Sequence, residues 1–294
     1  MRPLRTILFA WAMLAPAAAH AGNDCEALAP QLDRSPVVVN YDPFNAAPTM
    51  QDFNVDIRSS GCPENRNIFF EVTSDDPSVS DGHIITATGP GGLTVQATLT
   101  DRDANNGAGR DDTFNVKVGT SSFYFLVARG QVVSPGEYRA PLIAEERLDN
   151  GNNPPGENVV SAFELIIVVG PAVGLAPAIG TEVDLGELSA NDTADNPVQF
   201  DAYANVDYEL EILSDHGFQL LRGGQAGSEA IDYSPLLDSV PLPTAAPRRD
   251  FDRPLGEDSR RRHTLNVDVP SISGKPAGDY EDVLTVQISA KVGG

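Results

Sequence analysis

The chain has 294 residues, a length that accommodates about two domains of ordinary size. It carries 42 acidic and 20 basic side chains, a formal net charge of −22, which excludes a protein that binds the phosphate backbone of nucleic acids. Hydrophobic residues make up 41% of the composition, enough for a core, and the glycines and prolines follow no collagen-like period. The composition therefore favours a globular protein rich in turns.

The first 21 residues have the pattern of a removable secretory signal. Arg2 and Arg5 provide a basic start, an apolar run follows over 7–14, and the Ala-His-Ala sequence at 19–21 is of the kind that a signal peptidase accepts. The apolar run is shorter than the roughly 20 residues that cross a bilayer, which favours a signal peptide over a membrane anchor. We expect cleavage after residue 21 and export of the rest of the chain.

Only two cysteines are present, Cys25 and Cys62, and both follow the predicted signal. An exported protein folds in an oxidising compartment, so we expect these cysteines to form a disulfide. Such a bridge stabilises a fold by about 3 to 4 kcal/mol in the chain-entropy model. A metal site or a redox dithiol is the alternative, but the chain has no CxxC motif and neither cysteine has a histidine nearby.

Short apolar runs, separated by Gly, Pro, Asn and Ser, predict β-strands along the whole chain, whereas no window keeps the spacing of an amphipathic helix. Strands this short and this closely spaced predict antiparallel β-sandwiches. The first series of predicted strands comprises residues 36–40, 51–58, 67–73, 83–88, 93–100, 113–118, 121–129, 137–146 and 159–169.

A stretch of small residues and prolines at 170–177 separates the first series of strands from a second. This stretch predicts a domain boundary, with an N-terminal sandwich over 22–172 and a C-terminal sandwich over 178–294. The second series of predicted strands comprises residues 181–188, 197–204, 206–213, 217–221, 264–269 and 279–291.

The two series share a local pattern near their ends. Residues 134–144 give a Pro-Gly turn, an acidic residue, Tyr138 and then an alternating strand. Residues 275–288 give a Pro-Ala-Gly turn, an acidic residue, Tyr280 and another alternating strand. Two copies of one sandwich are the simplest interpretation of this repeat.

The second copy of the pattern, over 276–288, is similar to the last strand of spore coat protein U-like domains, the pilin-type modules of archaic chaperone-usher pili. The segments 38–44, after an early cysteine, and 207–212 add to the resemblance. The resemblance implies an immunoglobulin-like sandwich that lacks its last strand and keeps a hydrophobic groove open. It also implies three partners: a periplasmic chaperone, an outer-membrane usher and an adjacent pilin subunit that inserts a strand into the groove.

Strand counting agrees with that implication. In the first series the Tyr138 strand is followed by one more strand, 159–169, whereas in the second series the Tyr280 strand is the last. Alternation places Tyr280, Leu284, Val286 and Ile288 on one face of this strand. We expect an all-β protein of two immunoglobulin-like, pilin-type antiparallel β-sandwiches, the C-terminal one lacking its last strand, with these four residues lining a donor-strand groove.

The other end of the chain predicts the type of subunit. After the predicted cleavage only residues 22–24 precede Cys25, so no extension of alternating apolar residues is available to fill a neighbour's groove. A subunit that accepts a strand without donating one belongs at the fibre tip. We therefore expect a tip adhesin at the cell surface that mediates surface attachment and biofilm formation.

Two alternatives to a tip adhesin remain. A stalk or adaptor pilin of the same machinery is disfavoured by the short segment before Cys25. The second alternative is a secreted or periplasmic two-domain β-sandwich binding protein, both of whose domains are complete.

No motif of an enzyme is present: the chain has no GxSxG, HExxH or phosphate-binding glycine loop. His83, His216 and His263 fall in predicted loops, and we expect neither catalysis nor a cofactor. The segment 101–112 resembles a calcium loop, but its glycine is one position late, so a polar turn is favoured. Its candidate calcium ligands are Asp101, Asp103, Asn105 and Asp112.

Two surface features complete the sequence-based expectations. Six arginines lie within 248–262, and the acidic residues between them predict a solvated, locally neutralised loop, with subunit docking or binding to an anionic surface as the alternative. Turns at 40–47 and 89–93 contain apolar residues, among them Phe44 and Leu93, that would suit the adhesive tips of the molecule.

Overall fold

The computed structural model describes residues 26–60, 68–101, 113–148, 159–176, 182–187, 192–193, 197–255 and 259–291. These residues form strands and turns with one 3₁₀ turn at Pro90–Gly92 and no α-helix, so the all-β prediction is confirmed. Among them, no helix is long and apolar enough to span a membrane. The predicted signal peptide and both cysteines lie outside the described residues.

The buried apolar side chains form two separate clusters, one between Val37 and Val169 and the other between Phe200 and Val269. We call residues 26–169 the first half and residues 170–291 the second half. Each half is a β-sandwich whose strands place every second side chain in its core.

The first half contains eleven described strands. They are β1 (Glu26–Leu32), β2 (Val37–Tyr41), β3 (Thr49–Ser60), β4 (Ile68–Thr73), β5 (Ser80–Asp81), β6 (Ile84–Thr88), β7 (Thr94–Asp101), β8 (Phe114–Val116), β9 (Gly119–Val127), β10 (Gly136–Leu148) and β11 (Val159–Val169).

Two layers of the first half enclose its core. One layer has the order β1-β3-β9-β7-β6, with β5 paired to β6, and the other has the order β2-β11-β10-β4-β8. The layers are joined where Arg139 of β10 pairs with Thr88 of β6. All pairings are antiparallel except that of β2 with β11, which is parallel. Strand β11 therefore lies between β10 and β2 and has a partner on both sides.

The second half contains twelve described strands. They are β12 (Val173–Leu175), β13 (Asp192–Thr193), β14 (Val198–Ala204), β15 (Tyr208–Ser214), β16 (Gln219–Arg222), β17 (Ala230–Asp232), β18 (Ser234–Leu237), β19 (Val240–Pro241), β20 (Arg248–Phe251), β21 (Arg260–Val269), β22 (Tyr280–Glu281) and β23 (Leu284–Ala290).

The strand order of the second half is that of an immunoglobulin-like sandwich. One sheet has the order β12-β14-β21-β18, which matches strands A, B, E and D of the constant-type domain. The facing sheet pairs β15 with β23, which matches strands C and F, and β20 is an addition on the outer side of β15. A short third sheet pairs β16 with β17 and β22.

The sequence repeat gives the same local structure in both halves. At the start of β10 the hydroxyl of Tyr138 donates a hydrogen bond to the carbonyl of Ser134 at 2.7 Å. At the start of β22 the hydroxyl of Tyr280 donates to the carbonyl of Pro276 at 2.8 Å. Each bond reaches back four residues, which is the tyrosine corner found before strand F of immunoglobulin-like sandwiches. Strands β10 and β22–β23 are therefore equivalent positions in the two sandwiches.

A glycine packed against the first tyrosine corner gives a stability prediction. A Cβ atom built on Gly89 would lie 2.5 Å from Cδ1 of Tyr138, a fully buried ring. Gly89→Ala is therefore expected to lower the free energy of unfolding of the first half by about 1 to 3 kcal/mol, the usual cost of overpacking. Urea denaturation measures this loss. Gly170→Ala is the matched control, because a Cβ there has no heavy atom within 4 Å, and equal losses in both variants would contradict the prediction.

Every strand predicted in the first series is present, with ends that differ by a few residues, whereas β1 and the short β5 were not predicted. In the second series the strand predicted at 181–188 is wrong, because the described residues 182–187 form no strand. Part of the predicted boundary stretch is a strand instead, since β12 pairs with β14. Val-Gly-Leu next to prolines carries too little alternation to predict that strand from the sequence.

The prediction that the arginine-rich segment is a loop is also wrong. Arg248 and Arg249 lie on β20, and Arg260 to Arg262 begin β21. The neutralising carboxylates lie on neighbouring strands rather than in the same segment: Asp201 of β14 is 2.9 Å from Arg262, and Glu209 of β15 is 4.0 Å from Arg248. These ion pairs are exposed at the guanidinium, so each contributes less than about 1 kcal/mol to stability.

Candidate functional site

The last strand of the second half is an edge strand in the described part of the chain. Strand β23 pairs along its whole length with β15, from Tyr208 opposite Ala290 to Ser214 opposite Leu284. No described strand pairs with its other side. In the first half, by contrast, β10 pairs with β4 on one side and with β11 on the other.

The inward-facing side chains of the two equivalent strands differ in burial. On β10 the inward row comprises Tyr138, Ala140, Leu142 and Ala144, and none of these is more than 1% exposed. On β22 and β23 the corresponding row packs against the second core but is only half-buried. This row comprises the four groove residues predicted from the sequence, Tyr280, Leu284, Val286 and Ile288.

Strand β11 accounts for the difference. Its inward side chains Phe163, Leu165, Ile167 and Val169 all belong to the first core, next to the inward row of β10. No described strand of the second half takes the position that β11 takes in the first. Water therefore reaches apolar side chains on β23 that a further strand would cover.

The exposed apolar surface extends to the neighbouring sheet. Strand β12 is the edge of that sheet and contacts β23, and its Val173 and Leu175 are also half-buried. Among the residues that the structure describes, two partly buried hydrophobic side chains flank the first core, Leu32 and Val133, whereas ten flank the second. We call the surface between β12 and β23 the open edge. Its residues are Val173, Leu175, Tyr280, Leu284, Val286 and Ile288.

One carboxylate interrupts the apolar row of the open edge. Asp282 lies between β22 and β23, two residues after Tyr280 and two before Leu284, so the alternation of side chains places it in the same row. Its Oδ2 accepts hydrogen bonds from the hydroxyls of Ser214 and Tyr233, and its Oδ1 accepts from the backbone N–H groups of His216 and Val283. Burial, together with the neighbouring carboxylate, raises the pKa of Tyr233. The carboxylate thus joins the last strand to the turn after β15 and to the start of β18.

The sequence predicts a loop at His263, and this prediction is wrong. His263 lies on β21 with no exposed surface, and its Nδ1–H donates to Oδ2 of Asp238 at 2.8 Å. Its Nε2 accepts from the hydroxyl of Tyr208 at 2.7 Å. Burial lowers the pKa of His263, with Asp238 opposing, and burial raises the pKa of Tyr208 to about 12. The three residues resemble an acid-base relay, but the imidazole is sealed from solvent and connects the two sheets.

The candidate calcium loop lies almost wholly outside the described residues. Asp101 ends β7, whereas Asp103, Asn105 and Asp112 fall in the segment that is not described. Elsewhere in the described ranges, no group of three His, Cys, Asp or Glu side chains could hold a metal ion.

One of the two turns predicted as adhesive tips, 40–47, lies at the junction between the halves, so the prediction is wrong for that turn. The ring of Phe44 is 6.1 Å from the ring of Tyr203 in the second half. A turn that faces the other half is not available as a distal tip. The turn that contains Leu93 packs against the start of β10 through Gly89 and Pro90, and Leu93 itself is exposed, so for this turn the expectation stays a prediction.

A buried asparagine fixes the segment that joins the halves. The side chain of Asn205 accepts a hydrogen bond from the N–H of Ala172 at 2.7 Å and donates one to the carbonyl of Gly170 at 2.9 Å. Its backbone N–H donates to the carbonyl of Ala172. The chain between β11 and β12 is therefore held against the end of β14.

Comparison with known proteins identifies the class of fold. No family model matches the chain, and no curated protein matches it. Among solved structures, a chain of the chaperone-tip adhesion subunit pre-assembly complex CsuC-CsuE, from archaic chaperone-usher Csu pili of Acinetobacter baumannii, matches with a TM-score of 0.51 and 15% identity. The match covers 90% of this chain and 99% of that one. The adhesin CfaE of CFA/I from enterotoxigenic E. coli matches with a TM-score of 0.36 and 11% identity, over 89% of this chain and 94% of that one.

The chain therefore has the β-sandwich fold of solved chaperone-usher pilus proteins. At 15% identity the Csu match shows the fold alone.

Proposed function

We propose that the protein is the tip adhesin of a chaperone-usher pilus and that its second half accepts a donor strand at the open edge. The observation that carries the proposal is the contrast between two equivalent tyrosine strands. The inward row of β10 is fully buried under β11, whereas the inward row of β22 and β23 is half-exposed and has no described strand beside it. A strand with alternating apolar residues would bury that row and pair with the free edge of β23.

The arrangement of the two sandwiches supports the assignment to a tip subunit. The first half is closed by its own strand β11, so only the second half needs a partner. We propose an adhesin domain over 22–172 and a pilin-like domain that runs to 294 and includes β12, so that it begins before the predicted start at 178. The Csu structure, which contains a tip subunit and its chaperone, matches nearly the whole length of this chain. We also propose that the protein is a subunit of the spore coat protein U type.

The partners and location follow from the same proposal. A periplasmic chaperone would cover the open edge first, an outer-membrane usher would receive the complex, and the adjacent pilin subunit would supply the permanent strand. The protein would then stand at the pilus tip on the cell surface, where it would mediate attachment and biofilm formation without catalysis.

A fused strand tests the proposal on the full chain. The sequence of β11, Val159–Val169, is appended after Gly294 through a flexible linker, because this strand covers the equivalent row in the first half. We expect the unfolding temperature of the second half to rise by about 10 °C, since burial of the row outweighs the ordering of one strand. Differential scanning calorimetry measures the rise, and binding of an apolar dye should fall in parallel.

The control extension replaces the residues that correspond to Phe163, Leu165 and Ile167 by serine and keeps the length unchanged. Equal unfolding temperatures for the two extensions, with a stable soluble monomer in both, would overturn the proposal. That result would favour a secreted or periplasmic binding protein whose sandwiches are both complete.

A further inference from the structure

The carboxylate in the row of the open edge has no counterpart in the first half. Asp282 follows the corner tyrosine Tyr280 by two residues, and the residue that follows Tyr138 by two is Ala140. Ala140 is fully buried and pairs with Leu165 of β11. A strand that fills the open edge in the same way therefore meets a negative charge where β11 meets a methyl group.

The hydrogen-bonding capacity of Asp282 is already filled. Two hydroxyls and two backbone N–H groups donate to its oxygens, which matches the roughly four lone-pair sites of a carboxylate. None of these donors is charged, and no ion pair to Asp282 is found among the described residues. At present, solvent at the half-buried side chain screens the charge.

A strand laid across Asp282 would remove that solvent. An apolar side chain at the facing position would leave a dehydrated and uncompensated carboxylate, which is strongly unfavourable. A further hydrogen-bond donor would find the lone pairs occupied. A positive charge compensates the carboxylate without needing a free lone pair, and a long basic side chain can keep its head near water at the strand end.

We propose that the strand that occupies the open edge carries lysine or arginine at the position facing Asp282 and apolar residues at the positions facing Leu284, Val286 and Ile288. Asp282 then selects the donor strand and fixes its register, because a shift by two residues would place an apolar side chain over the carboxylate. This inference rests on the proposed function, since it specifies the partner of the same open edge.

Three fused strands test the inference. Each is the full chain with the β11 sequence appended after Gly294, and the three differ only at the position that corresponds to Leu165, which is leucine, lysine or glutamate. We expect the unfolding temperature of the second half to be highest with lysine, about 5 °C lower with leucine, and lowest with glutamate. Sodium chloride at 1 M should narrow the gap between lysine and glutamate, because it screens the charges.

Asp282→Ala, which introduces the residue found at Ala140, should reverse the order of lysine and leucine. Asp282→Asn provides a second variant that keeps the side-chain size if the alanine variant does not fold. Equal stabilisation by all three strands in the unaltered chain, or a lysine preference that persists in the Asp282 variants, would overturn the inference and leave the proposed function intact. Failure of every strand to stabilise the second half would instead overturn the proposed function.

Discussion

Replacement of His263 by alanine is expected to destabilise the second half by about 4 kcal/mol. The imidazole is fully buried and packs against the rings of Phe200, Tyr208 and Phe251, at centroid distances of 5.6, 5.9 and 4.5 Å. The variant leaves a cavity among these rings. It also deprives Asp238 and the hydroxyl of Tyr208 of their shared partner, so two polar groups lose hydrogen bonds at once. This loss is a large fraction of the stability of an ordinary domain.

Urea denaturation with tyrosine fluorescence measures the loss in the full chain. His216→Ala is the matched control, because the hydrogen bonds of His216 in the structure involve its backbone N–H. We expect this control to change the free energy of unfolding by less than about 0.5 kcal/mol. A loss of similar size in both variants would show that the Asp238–His263–Tyr208 network contributes little.

The same histidine gives the second half a pH dependence of definite sign. Burial lowers the pKa of folded His263 below its ordinary value of 6.5, so the unfolded chain takes up a proton at a higher pH than the folded chain. The contribution to stability is complete above pH 6.5 and decreases as the pH falls from 6.5 through the lowered pKa. Urea midpoints at pH 7.5 and 5.5 measure this decrease, and His263→Ala should reduce it.

Alternation of side chains made most of the fold predictable. Strands β10, β11 and β23 place apolar residues at every second position, and such a pattern predicts both the strand and the face that is buried. Strands β20 and β21 begin with arginines, so their first residues do not alternate between apolar and polar side chains and the sequence does not predict a strand there. Arg249 packs over the ring of Phe251 from within β20 at 5.1 Å. Arg261 of β21 packs over the same ring at 5.2 Å, and this contact between separate strands cannot be derived from either strand alone.

The candidate site also has one part that the sequence predicts and one part that it does not. The apolar row of Tyr280, Leu284, Val286 and Ile288 follows from the period of one strand. The place of Asp282 in that row depends on Ser214 and Tyr233, which the fold brings from 68 and 49 residues away. Hydrogen bonds between residues so far apart leave no periodic signal, and the sequence around Asp282 resembles an ordinary acidic turn.

Acid is expected to affect the first half in the opposite direction, through Glu146 on β10. This side chain has no exposed surface, its Oε2 accepts a hydrogen bond from the backbone N–H of Arg58 at 3.3 Å, and its Oε1 has no partner. The guanidinium of Arg58 pairs with Asp56 instead, so no described cation compensates the buried carboxylate. Burial raises the pKa of Glu146 from 4.5 to about 7, which means that folding favours the protonated form.

The sign of the effect follows from that raised pKa. Between pH 7 and pH 4.5 the folded chain holds a proton that the unfolded chain has released, so stability rises as the pH falls through this window. We expect the first half to gain about 2 to 3 kcal/mol between pH 8 and pH 5, measured as the shift of its urea transition. Glu146→Gln, which cannot ionise, should lose this gain. Asp56→Asn, a variant of the exposed partner of Arg58, should keep it.

Because His263 weakens the second half over the same pH range, acid should move the unfolding transitions of the two halves apart. Parallel shifts of the two transitions in the unaltered chain would contradict both assignments.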